Sequence, residues 1–240
     1  MPRFSITKLS EQLVLHLTRE IVSGGLPAGS SLASEPELAA QFEVSKVVVR
    51  ECVQTLAALG LLRVQQGKRS IVLGSDDWNI LAPTLLQALR LEGHTKDLMR
   101  QLYELRLVLE PYAASEAARL IPPEDVGQFN ELIELMRAAA SESHDVQAFL
   151  QLDLRFHNAV ISAGGNVLLR AVMRDLHEFL LTCWADSRID ARQLETLAQQ
   201  HAQIASAIVR KQPTRAREAM QKHLRWAEEI EIDSLDGRRS

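Results

Sequence analysis

Asp153 and His157 stand four residues apart in a stretch of helical periodicity, so the two side chains project from one helix face. His201 and His223 each lie eleven residues from Gln212, and Gln212-Pro213 marks a break between two helical stretches. An antiparallel hairpin folded at that break sets both imidazoles at the same height. If the hairpin packs on the Asp153 helix, three imidazoles and one carboxylate converge inside a bundle. By ligand type such a set suits a divalent ion, with Zn²⁺ foremost and Ni²⁺ or Mn²⁺ as alternatives. The bland alternatives are specific. A single histidine on an apolar face is ordinarily a satisfied core or surface residue. Asp153 and His157 alone could be a helical ion pair. The matched register of His201 and His223 favours the joint site. His16, His94, His144 and His177 have no such partners and are given no role. Arg106 sits among apolar residues in the stretch 102–110. It either pairs with Glu110 one turn on, or points into the bundle cavity and forks onto a carboxylate ligand.

A second constellation lies between Ser34 and Gly60. Ser34 can cap a short helix whose first turn holds Pro36 and whose inner face holds Leu38, Ala39 and Phe42. Ser45 can cap a second helix with Val49, Val53, Leu56 and Ala57 inward, and Gly60 ends it. Lys46 and Arg50 share its outer face beside Val47, the kind of front that a DNA major groove accepts. Alone, this pattern fits an ordinary helical hairpin with a solvated face. The next stretch, Leu61 to Val72, reads as two short strands around a Gln66-Gly67-Lys68 turn. Helix, turn, helix and basic-tipped hairpin together make a winged helix-turn-helix. The wing would carry Lys68 and Arg69 to a phosphate backbone or minor groove.

The elements that must position these groups are mainly helical. The chain has 240 residues, 46% hydrophobic and only 5% aromatic, which suits helix packing more than a β-sandwich. Expected are a winged helix-turn-helix domain over 1–73, a linker over 74–79 and an all-α antiparallel bundle over 80–235. Trp78 is expected to anchor the linker at the second domain. Helical stretches follow at about 80–91, 96–119, 123–140, 145–163, 167–185, 192–211 and 213–231, with Asp145 and Asn166 as caps and Pro111 as a kink. Net charge is −4, yet residues 1–73 hold eight Lys/Arg against six Asp/Glu. The positive segment is the one that would meet DNA. Cys52 and Cys183 have no neighbouring cysteine and read as small buried residues. No stretch approaches a membrane span, and Met1-Pro2-Arg3-Phe4 opens no secretion signal, so a cytoplasmic protein is expected.

This order of parts resembles the GntR family of bacterial transcription regulators, and the helical half resembles the FCD type of its FadR subfamily. The matching motifs in the first domain are Leu32-Ala33-Ser34-Glu35, Leu38-Ala39, Val44-Ser45-Lys46, Val49-Arg50-Glu51, Leu59-Gly60-Leu61 and Gln66-Gly67. In the second they are Leu105-Arg106 with Leu109-Glu110, Asp153 with Phe156-His157, Gly165-Asn166, Leu168-Leu169, His201 and His223. The resemblance implies that Asp153, His157, His201 and His223 bind a divalent metal, with water or an effector completing the shell. It implies that Arg106 helps to hold the carboxylate of a small organic acid, sugar acids being common effectors in the group. Trp78-Asn79-Ile80-Leu81 resembles a linker of sugar-acid catabolism regulators. Acyl-CoA-binding relatives lack the metal set, so a fatty acyl effector is not expected.

The DNA-reading face departs from the family. Pro36 stands where an Arg is common, Lys46 replaces the commoner Arg, and Val47-Val48 replaces a polar or Thr-Pro pair, so no operator sequence is carried over. The expected function is a homodimeric repressor reading a palindromic double-stranded operator through Ser45, Lys46, Val47, Arg50, Gln66, Gly67 and Lys68. The rival from another class is a metal-dependent enzyme acting on a small carboxylate. A third possibility is a purely structural metal with the effector bound elsewhere.

Overall fold

Leu13, Val14, Leu17 and Ile21 recur at helical spacing and are buried on one face of α1 (Ile6–Val22). The computed structural model describes residues 6–65, 67–143, 145–184 and 189–236. Gln66 and His144 lie outside the described residues. α1 packs on α3 (Lys46–Ala58), and α2 (Glu35–Gln41) packs on α3 in turn. Ser45 caps α3 as expected, its hydroxyl accepting from the Val48 amide at 3.3 Å. At α2 the Glu37 carboxylate accepts from the Ser34 amide at 2.7 Å. The wing is a two-stranded antiparallel sheet, β1 (Leu62–Arg63) and β2 (Ile71–Val72), with Leu62 opposite Val72.

Gly60 ends α3 with φ 73°, and a Cβ there would lie 2.0 Å from the Asp77 carbonyl oxygen. That close approach ties the segment 74–79 to the end of α3, reinforced by Asn79 N–H donating to the Leu59 carbonyl. Trp78, expected as an anchor where the linker meets the second domain, donates its indole N–H to the Leu73 carbonyl at 3.3 Å. α4 (Pro83–Leu91) packs on α1, buries Leu85, Leu86 and Leu89, and belongs to the first compact unit, which runs to Thr95. The sequence sees α4 only as one more amphipathic helix and groups it with the bundle. Which neighbour its apolar face meets is a tertiary fact.

The second unit, 96–240, is helical throughout its described residues. It comprises α5 (Thr95–Leu120), α6 (Val126–Ala138), α7 (Val146–Ala163), α8 (Val167–Trp184), α9 (Ala191–Val209) and α10 (Pro213–Asp236). Pro111 is buried inside α5, which continues through it as one helix. Asp145 caps α7 by accepting from the Ala148 amide at 3.0 Å, and Asn166 caps α8 by accepting from Leu168 and Leu169. α9 and α10 form the antiparallel hairpin, turned at Lys211 with φ 54°. The apolar faces of α6, α7 and α9 meet around Phe129, Phe149 and Phe156. Both cysteines are buried, and burial pushes the Cys52 thiol up to about 12.

Candidate metal centre and nucleic-acid interface

α7 places Asp153 and His157 one turn apart on its buried face, and the α9–α10 hairpin brings His201 and His223 against them. One ligand atom from each of the four lies within 4.8 Å of all the others. His201 Nε2 is 3.0 Å from Asp153 Oδ1 and 3.4 Å from His157 Nε2. His157 Nε2 is 3.2 Å from His223 Nε2 and 3.7 Å from Asp153 Oδ2. Ligands bonded at about 2.0–2.1 Å to one tetrahedral ion stand about 3.3 Å from each other. The spacings match a first-row divalent ion.

The outer nitrogens decide how the rings present themselves. His157 Nδ1 meets Glu110 Oε2, His201 Nδ1 meets the Leu197 carbonyl at 2.8 Å, and His223 Nδ1 meets Gln200 Oε1 at 3.0 Å. Each of these partners is an oxygen acceptor, so each Nδ1 carries the proton and each Nε2 turns a lone pair inward. Nε2 of His157 lies 3.2–3.4 Å from those of His223 and His201, with Arg106 Nη2 also 3.5 Å from it, an arrangement that a shared cation can satisfy. Burial holds the His157 and His223 imidazoles below their ordinary value, hence neutral and ready to ligate at neutral pH. Burial opposes ionisation of Asp153, but the facing His157 and His201 hold it well below the usual carboxylate range. The donor set fits a divalent metal.

Arg106 makes the pair with Glu110 that was the first alternative posed by the sequence, and it also lines a cavity. Its Nε donates to Glu110 Oε1 at 2.6 Å, and the cavity, about 10 Å³, lies beside Asp153 and His223. Burial disfavours the Glu110 charge, but Arg106 keeps it ionised. Glu110 is thereby shared by Arg106, by His157 and by His177, whose Nε2 lies 3.4 Å away while its Nδ1 faces Asn158. Sequence reasoning gave Glu110 only as a possible partner of Arg106, and gave Gln200 and His177 no role. Glu110 was visible at i+4 from Arg106, and Gln200 only as the neighbour of His201. The contacts of Glu110 with His157 and His177, 47 and 67 residues away, had no local signal.

The cavity has a second polar set. Tyr103, Trp184 and Glu231 line it with Leu150, Ile189 and Ile230. The Tyr103 hydroxyl, Trp184 Nε1 and the Glu231 carboxyl are buried on its wall, with Tyr103 and Trp184 interacting with Glu231. Burial raises the Glu231 carboxyl to about 7 and pushes the Tyr103 hydroxyl well above its ordinary value.

In the first unit, Ser45, Lys46, Val47 and Arg50 are all exposed at the start of α3, Val47 by 60%, whereas Val48 is core. Gly67, Lys68 and Arg69 are exposed on the wing. Two of these cations meet acids of α2: Arg69 Nη2 is 2.7 Å from Glu37, and Arg50 Nε is 3.6 Å from Glu35. No described helix is long and apolar enough to cross a membrane.

Residues 9–72 match the bacterial regulatory proteins of the gntR family, and residues 101–225 match the FCD domain. The chain is 29% identical over 161 residues to the galactonate operon transcriptional repressor of Escherichia coli, covering 67% of this chain and 69% of that protein. It is 29% identical over 215 residues to the HTH-type transcriptional regulator LutR of Bacillus subtilis, covering 88% and 95%. Among solved structures, Streptococcus agalactiae GntR is 25% identical with a TM-score of 0.52, covering 92% of this chain and 99% of that one. Lar of Listeria monocytogenes shares the fold at a TM-score of 0.60 and 16% identity, covering 97% and 99%. The DNA-binding part and the helical part match in order, and the FCD match alone spans more than half of the sequence; the chain belongs to the GntR family of bacterial transcription regulators, in its FCD-domain branch, and is a regulator and not an enzyme.

Proposed function

We propose that this regulator is a homodimeric repressor that carries a divalent metal, zinc foremost, on Asp153, His157, His201 and His223, and that a small organic acid releases it from its operator. The observation that carries this is the charge around the four ligands, with Glu231, raised to about 7, counted in its protonated form. Arg106 contributes one positive charge, and Glu110 and Asp153 one negative charge each. A divalent ion leaves one positive charge in excess, and a single carboxylate then brings a buried site to neutrality. The ion supplies Lewis-acid charge and an open position for an acid oxygen. Arg106 is fixed by Glu110 and supplies donors to the acid from the cavity wall. The likeness to a galactonate operon repressor supports a sugar acid.

Operator contact falls to Ser45, Lys46, Val47 and Arg50 on α3, and to Gly67 and Lys68 on the wing. Gln66 belongs to the same proposed set on sequence grounds. Val47, exposed at the front of the helix, suits a thymine methyl. Dimer formation is supported by an apolar stripe on α5, Leu105, Val108 and Tyr112, which no described element covers, together with exposed Leu168 and Val172 on α8. Such a dimer presents two winged domains to a palindrome, in the cytoplasm where the chromosome lies. The acid shifts operator affinity only by its differential affinity for the two states of the protein.

The test is a gel-shift titration on zinc-loaded and chelator-treated protein with a panel of sugar acids and short carboxylates. Acid-dependent release is expected only in the zinc-loaded form. His157→Ala should keep operator binding and lose release. Release that persists in this variant would refute the role of the metal.

A further inference from the structure

The α9–α10 hairpin carries its charge unevenly. From Arg210 to Arg225 the chain holds six Lys/Arg and one Asp/Glu, while the rest of 96–240 holds twelve against twenty-one. The six cations are Arg210, Lys211, Arg215, Arg217, Lys222 and Arg225. All are exposed, and none has a carboxylate within 4.0 Å among the described residues. Elsewhere in this unit exposed arginines are neutralised locally. Arg100, Arg119, Arg137 and Arg174 each stand 4.0 Å or less from an acid on their own helix. An ordinary solvated face mixes its signs in that way. Arg210 and Arg215 line one open groove between α9 and α10 with Gln199, Gln203, Ser206 and Gln212, and no acid lines it. Arg215 Nη1 donates to Gln212 Oε1 at 3.2 Å. Lys222 follows Arg215 by seven residues and Arg225 by three more, so these three share one face of α10 over about 15 Å. Glu218 is the single acid of the stretch, and Glu229 closes it.

The layout selects the partner. Guanidinium and ammonium groups only donate, and the amides and the hydroxyl beside them can donate as well. Such a surface fits an anion rich in acceptors. A small anion is held by cations that converge on one point, whereas these are strung along a helix and an open groove. An extended polyanion matches that geometry. One strand of a duplex carries a charge every 3.4 Å or so of axis, so about 15 Å passes about four phosphates. No aromatic side chain lines the groove, so it offers unpaired bases nothing to stack on. The chain belongs to a family that binds DNA through its first unit, and a duplex is therefore the polyanion it meets. We propose that the basic face of the α9–α10 hairpin is a second DNA-contacting surface, which grips the phosphate backbone of a duplex without reading its sequence and adds to the hold of the winged domain.

The test measures the affinity of the full chain for a random-sequence duplex of about 60 bp by fluorescence anisotropy, from about 50 to 200 mM salt. A hairpin variant carries Arg210→Gln, Arg215→Gln, Lys222→Gln and Arg225→Gln together. A control with the same change in net charge carries Arg155→Gln, Arg170→Gln, Arg174→Gln and Arg192→Gln, four exposed arginines outside the stretch. The hairpin variant is expected to lose about ten-fold in affinity, and its slope of log affinity against log salt should fall by about two to four. The control should stay within about two-fold of the wild type, because remote charges are screened. A version with Lys at the three arginine positions keeps the charge and should restore the slope. A hairpin variant that binds like the wild type, equal losses in variant and control, or a slope that the lysine version does not restore overturns the surface. Unchanged duplex binding with lost binding to polyglutamate assigns the face to an acidic protein and also overturns it.

Discussion

The two units use Arg–Glu pairs in opposite settings. On the DNA-reading face, Arg69 meets Glu37 and Arg50 meets Glu35 with every partner at least a third exposed. In the bundle, Arg106 meets Glu110 with both side chains 1% exposed. The exposed pairs are formed in water, screened by salt and readily exchanged for a phosphate. The buried pair has no solvent to fall back on, and its acid also orients an imidazole of the proposed metal site. Identical chemistry thus gives an exchangeable contact in one unit and a fixed support in the other. Burial, and not residue type, makes the difference.

The sharpest way to break this contrast is at the shared acid. Glu110→Gln leaves Arg106 buried without its counter-charge and should cost about 3–5 kcal/mol in urea denaturation. It should also weaken zinc binding about 10–100-fold in a chelator competition, because His157 loses the acceptor that sets its tautomer. A cost no larger than that of Glu37→Gln would erase the distinction between the two settings.

A second effect concerns the buried acid that has no cation of its own. Burial raises Glu231 to about 7 from an ordinary 4.5. Between those values the folded chain holds a proton that the unfolded chain has released, so stability falls as pH rises through this window. The loss approaches about 3 kcal/mol above pH 7. Denaturation of metal-free protein from pH 4 to 8, taken as the difference between wild type and Glu231→Gln, isolates this slope. A flat difference would show that Glu231 is solvated in the folded state.

At the DNA face the effects are smaller and appear in binding. Arg50→Ala should weaken the operator complex by about 1–3 kcal/mol if it reads a base edge. Lys68→Ala should weaken all sequences alike and reduce the salt slope by about one. Gel-shift titrations at several salt concentrations separate the two. The smallest expected change is that of Glu37→Gln, whose side chain is half exposed. Its folding stability should not move, while binding to non-operator DNA should rise slightly as Arg69 is freed.

The donor set was legible because its geometry follows from local rules. A four-residue step fixes Asp153 against His157, and equal distances from Gln212 fix His201 against His223. Caps at Ser45, Asp145 and Asn166 were legible for the same reason, since each bonds to an amide within three residues. The supports were not legible. Glu110 reaches His157 across 47 residues, and His177 joins them from a third helix. Tyr103, Trp184 and Glu231 come from three helices and share no spacing at all. α4 carried the right pattern, but amphipathicity names a buried face without naming the partner that buries it.

The anchoring of the imidazoles also bears on how such regulators diversify. His201 leans on a carbonyl of its own helix, and His157 and His223 lean on side chains that are themselves engaged or adjacent. Altering any of these disturbs several neighbours together. Tyr103, Trp184 and Glu231 line the neighbouring cavity and are not the partners of the three Nδ1 atoms. A change at the cavity wall can therefore reshape that space while the supports of the proposed ion cage stay in place.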